Sequence, residues 1–104
     1  MISGISSNIP QSGMAVALQR VDAAASNTAN RTTDGFQRLE VERSARADGG
    51  VQARTVRTNE PNNTDAAALR DAVEVGQAQR EFEANAVAFR AREDALGSLF
   101  DQRA

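Results

Sequence analysis

Apolar residues recur with helical spacing near the start of the chain. The series runs at steps of four, three and four residues through Met14, Leu18, Val21 and Ala25. Such spacing places side chains on one face of an α-helix, and it predicts a helix over residues 12–30 with Ser12 as its N-cap. Residues 1–11 are rich in Ser and Asn with scattered Ile, so we expect a flexible N-terminal segment there.

A longer pattern of the same kind occupies the end of the chain. From Ala72 it alternates steps of three and four residues over four heptads, with apolar groups at Val75, Phe82, Ala86, Phe89, Leu96 and Phe100. This repeat is typical of a coiled-coil seam. It predicts one long helix within residues 63–104, with Thr64 or Asp65 as its N-cap.

The intervening segment, residues 31–62, has a different pattern. Leu39 and Val41 alternate with acidic residues, and a second alternating run begins at Val51. Asp48-Gly49-Gly50 lies between the two runs and supplies the residues that a tight turn requires. The predicted fold is therefore mainly α, an antiparallel, coiled-coil-like pair of long terminal helices with a small β-hairpin between them.

Composition changes this picture in one respect. Of the 104 residues, 20 are Ala, and Leu, Ile, Val and Phe together account for only 20 more. So few large apolar side chains build a thin core. We therefore expect helices that pack closely against other subunits and fold fully only on assembly.

Missing residue types exclude most site chemistry. The chain has no Cys and no His, which removes thiol nucleophiles, Cys-ligated metals and the commonest general base. We expect no enzyme activity, no catalytic or metal site and no cofactor. The 12 basic residues are interspersed with 14 acidic ones, so nucleic acid is not an expected partner. No apolar run is long enough for direct membrane insertion.

Two stretches of the sequence resemble a known family. The first, SGM…RVDAAASNTANRTTDGFQR, spans residues 12–38, and the second combines AQREFEAN with EDALGSLF. They are similar to the N- and C-terminal signatures of bacterial flagellar axial proteins, which form the rod and the hook. The residues that carry the resemblance are Asn27, Ala29, Asn30, Thr33, Gly35, Phe36, Gln79, Arg80, Ala84 and Asn85.

Several positions depart from the family pattern. Ser26 and Thr28 replace an Asn and an Ile of the signature, and the segment between the signatures has room only for a hairpin. The chain therefore looks most like a short proximal rod protein of the flagellar basal body, or a divergent paralogue of one.

The resemblance implies a structural function and a route to it. A rod subunit leaves the cytoplasm through the flagellar type III export apparatus without a cleaved signal peptide. It then polymerises through its terminal helices in the rod that spans the periplasm, and it transmits torque there. The implied partners are other copies of the chain, other rod and hook subunits, and the export apparatus.

Two questions stay open at the level of sequence. Asn27, Asn30 and Asn85 are either structural caps and surface groups or hydrogen-bonding groups between subunits. The alternative function is a cytoplasmic helical adaptor or a homo-oligomeric coiled coil unrelated to motility, which predicts a discrete oligomer in solution.

Overall fold

The computed structural model describes the backbone of residues 2–103 and the side chains of residues 9–101. Four elements follow one another along the chain, and they are α1 (Ile2–Ala29), β1 (Leu39–Ala45), β2 (Val51–Arg57) and α2 (Asp65–Arg103). The strands pair antiparallel, with Leu39 opposite Arg57 and Ala45 opposite Val51. The predicted fold, two long helices with a small hairpin between them, is confirmed.

The first helix is longer than predicted. We expected it to begin at Ser12 after a flexible segment, but α1 begins at Ile2 and contains Pro10. Ser12 is therefore inside the helix and is not its N-cap. Its hydroxyl donates to the carbonyl of Ile9 at 2.7 Å and accepts the backbone N–H of Val51 at 3.1 Å. The prediction was wrong because a Ser that joins the helix to the hairpin has the same sequence signal as a cap. Met1 lies outside the described residues.

The second helix begins as predicted and ends later. The hydroxyl of Thr64 accepts the N–H of Ala67 at 3.0 Å, which is the hydrogen bond of an N-cap. The helix continues through Gly76 and Gly97 to Arg103. A single Gly costs about 1 kcal/mol relative to Ala, and neither residue interrupts the backbone.

The hairpin turn uses the predicted residues. Gly49 has a φ of 92°, a left-handed conformation that favours glycine. The carboxylate of Asp48 accepts the N–H of Gly50 at 3.0 Å, and the N–H of Arg46 donates to the carbonyl of Gly50 at 2.8 Å. Because a two-stranded hairpin is marginal alone in water, its stability depends on the helices that it contacts.

The two helices meet along a seam of small and polar side chains. On α1 the seam residues follow steps of four, three, four and three through Gly13, Ala17, Arg20, Ala24 and Asn27, all of them buried. On α2 they follow the same rule through Ala67, Asp71, Glu74, Ala78, Glu81 and Asn85. The heptad repeat predicted for α2 is therefore present, but the residues at the centre of the contact are not the predicted ones.

The observed seam on α2 lies one residue before the predicted one. Asp71, Ala78 and Asn85 are at the contact where the pattern favoured Ala72, Gln79 and Ala86. The predicted apolar positions lie beside the seam: Met14, Val21, Val75, Phe82, Ala86, Phe89 and Leu96 are half-buried, whereas Leu18, Ala25 and Phe100 are exposed. Small residues occupy the central positions of the seam because they allow the two helix backbones to approach closely.

Closest approach occurs where Gly13 of α1 faces Asn85 of α2. A Cβ atom built on Gly13 would lie 2.5–2.6 Å from the side-chain amide of Asn85. That amide is held in place because its nitrogen donates to the carbonyl of Glu81 at 2.8 Å. The Gly at position 13 is therefore required by packing and not by its backbone conformation.

We expect Gly13→Ala to lower the free energy of unfolding by about 1 kcal/mol. The clash with Asn85 costs about 1–3 kcal/mol, and the better helix propensity of Ala offsets about 1 kcal/mol of that cost. Urea unfolding of the single and double variants measures the effect. In an Asn85→Ala background the same change should be stabilising. A Gly13→Ala protein more stable than the wild type would show that the helices are not this close.

Candidate functional site

A buried asparagine joins α1 to the outer edge of the hairpin. Thr58 donates its N–H to the carbonyl of Arg38 at 2.8 Å. Because hydrogen-bonded and non-hydrogen-bonded residues alternate along an antiparallel strand, the N–H and the carbonyl of the next residue, Leu39, point away from β2. The side chain of Asn27 completes this edge. Its Oδ1 accepts the N–H of Leu39 at 2.8 Å, and its Nδ2 donates to the carbonyl of Leu39 at 3.0 Å. Asn27 thus makes the two hydrogen bonds with Leu39 that a neighbouring strand would otherwise make.

An aspartate of α2 binds the same cluster through two arginines. Arg38 donates to both carboxylate oxygens of Asp71, at 2.8 and 3.1 Å. Arg31, just after α1, contacts Asp71 Oδ2 at 2.8 Å. The second hydrogen of Asn27 Nδ2 is directed to Asp71 Oδ1 at 3.3 Å. This carboxylate therefore connects α2 to α1, to the loop after α1 and to the start of β1.

Asn62, in the loop before α2, completes the cluster. Its Nδ2 donates to the carbonyls of Asn27 and Asn30 at 2.9 and 3.0 Å, and its Oδ1 accepts from Arg38 at 2.9 Å. Carbonyls in the last turn of a helix have no partner within the helix, so Asn62 acts as a distant C-cap for α1. We call these five residues, Asn27, Arg31, Arg38, Asn62 and Asp71, the polar clasp.

The charge state of the clasp follows from its hydrogen bonds. Burial alone would raise the pKa of Asp71, but hydrogen bonds from Arg38, Arg31 and Asn27 outweigh burial and hold that pKa below its ordinary value of 3.8. Asp71 is therefore ionised in the folded chain at neutral pH. Its contribution to stability is present above pH 3.8 and is lost as the pH falls through the lowered pKa.

A second charged group lies midway along the helix pair. Arg20 of α1 is buried and pairs with Glu74, and it also donates to Glu81 at 3.1 Å. The hydrogen bond to Glu74 raises the pKa of Arg20 above its ordinary value, so Arg20 stays charged. Glu81 also accepts from Arg43 of β1 at 2.8 Å. One carboxylate of α2 thereby fixes both α1 and the hairpin.

Beside this seam the helix pair has an apolar groove. Its cavity volume is about 270 Å³, and it is lined by Ala17, Leu18, Val21, Ala78, Gln79, Phe82 and Glu83. Leu18 is 55% exposed, so in the single chain the groove is open to solvent. We call these seven residues the apolar groove. It holds four residues of the predicted seam pattern, namely Leu18, Val21, Gln79 and Phe82.

The residues of the family resemblance have different structural roles. Asn27 is 1% exposed and belongs to the clasp, and Asn85 lies against Gly13. Gly35 has a φ of 74° in the turn after α1. Asn30 accepts a hydrogen bond from Thr33 at 3.1 Å, and Phe36 is half-buried. The remaining residues are exposed on the helices: Ala29, Gln79, Arg80 and Ala84.

Four clasp residues were not predicted as site residues, namely Arg31, Arg38, Asn62 and Asp71. They have the composition of a solvated surface, and their pairing depends on a chain reversal that periodicity does not show. One signal was available: the unbroken heptad series from Gly13 to Asn27 and from Ala67 to Asn85 would have indicated a seam of small and polar residues.

Among the described residues, no group of three or more acidic side chains is placed to hold a metal ion. Within that same part of the chain, neither helix is long and apolar enough to cross a membrane. The arrangement is suited to rigid positioning of two helices and a hairpin, with the apolar groove left open to solvent.

Comparison with protein-family models and with curated proteins found no match to this chain. The resemblance to flagellar axial proteins therefore depends on the motif residues themselves.

We expect Asp71→Asn to lower the free energy of unfolding at pH 7 by about 3–5 kcal/mol, because it leaves the buried Arg38 without its charge partner. The acid-induced loss of stability should also become shallower, since Asp71 no longer titrates. Urea unfolding between pH 3 and pH 7 measures both effects.

Glu42→Gln is the matched control. Glu42 pairs with Arg54 at 3.1 Å, but both side chains are exposed, so the loss should not exceed about 1 kcal/mol. Equal losses for the two variants would contradict a special role for the clasp.

Proposed function

We propose that this chain is a structural subunit of the bacterial flagellar basal-body rod, or a short paralogue of one. In this proposal it polymerises through its two terminal helices and transmits torque. It is exported through the flagellar type III apparatus without a cleaved signal peptide, and it binds other copies of itself and other rod or hook subunits.

One observation supports the proposal beyond the motifs. The helix pair is closed by small, polar and charged side chains, and its large apolar groups remain outside the seam. Leu18, on the edge of the apolar groove, is 55% exposed, and Phe82 is only half-buried beside it. An open apolar groove is typical of a surface that binds another protein, and a subunit of a polymer needs such a surface for its neighbours.

The shape of the chain supports the same interpretation. Its radius of gyration is 17.7 Å and it measures 63 × 24 × 15 Å. A compact domain of 104 residues has a radius of gyration of about 13 Å. An elongated pair of helices is suited to side-by-side packing with the helices of other subunits.

The alternative is a cytoplasmic helical adaptor or a homo-oligomeric coiled coil. The apolar groove is equally compatible with this alternative, because a coiled coil also needs an apolar seam. The two functions differ in the assembly that they predict. The alternative gives a discrete dimer or tetramer of fixed mass, and the rod subunit gives a polymer whose mass increases with protein concentration.

We expect Leu18→Asp to abolish polymerisation while leaving the monomer folded. Leu18 is 55% exposed in the single chain, so the substitution removes little internal packing, but it places a charge in the groove that a neighbour would cover. Sedimentation velocity and negative-stain electron microscopy over a concentration series measure the assembly, and circular dichroism verifies the fold. Ala88→Asp adds the same charge at an exposed position of α2 outside the groove and should polymerise normally.

Localisation gives the second arm of the test. In a flagellated bacterium, the epitope-tagged chain should copurify with isolated basal bodies. A discrete oligomer that stays in the cytoplasmic fraction would favour the adaptor and would overturn the rod assignment.

A further inference from the structure

We draw no further inference here: the strongest candidate, the apolar surface patch at the end of α2 where Leu99 is 58% exposed and Phe100 is 68% exposed, carries nothing because nothing in the structure shows what covers it.

Discussion

The hydrogen bonds between Asn27 and Leu39 hold the rest of the structure in place. Leu39 begins β1, and its backbone faces away from the partner strand, so without Asn27 this edge would have only water as a partner. Asn27 itself is almost completely buried, at 1% exposure. A buried polar group left without partners costs about 1–3 kcal/mol. The hairpin, α1 and Asp71 of α2 must therefore occupy one mutual arrangement for all of these groups to be satisfied.

This constraint determines where the apolar side chains go. Gly13, Ala17, Ala24 and Ala78 bring the helix backbones close together, and Arg20, Asn27 and Asp71 are then near enough to bond across the seam. A seam of this composition has no space for Leu18, Phe82 or Phe89. Buried ion pairs and amides add little net stability over an apolar core of similar volume, but their geometry is demanding. The chain thus obtains a defined arrangement from polar contacts and leaves its large apolar side chains outside the seam.

The sequence predicted that two long helices and a hairpin form, but it did not predict which residues form the contact between the helices. Heptad spacing predicted α2, and alternation around Asp48-Gly49-Gly50 predicted the hairpin, because both are local properties of the backbone. The predicted seam was displaced by one residue because hydrophobicity ranks Phe82 above its neighbour Glu81, although Glu81 makes the contacts with Arg20 and Arg43. The start of α1 was misplaced because Ser12 resembles a cap. Clasp pairing between Arg38 and Asp71 joins residues 33 positions apart, and no local pattern contains it.

The amide hydrogen exchange of Leu39 in the dilute monomer tests the central claim most directly. The claim is that the polar contacts fix the arrangement of the hairpin and the helices before any other chain binds, whereas composition alone led us to expect complete folding only on assembly. If so, the N–H of Leu39 is bonded to Asn27 in the monomer, and nuclear magnetic resonance should find it strongly protected, although it lies on the outer edge of a two-stranded hairpin. Exchange at the rate of an unstructured peptide, with protection only after assembly, would contradict the account.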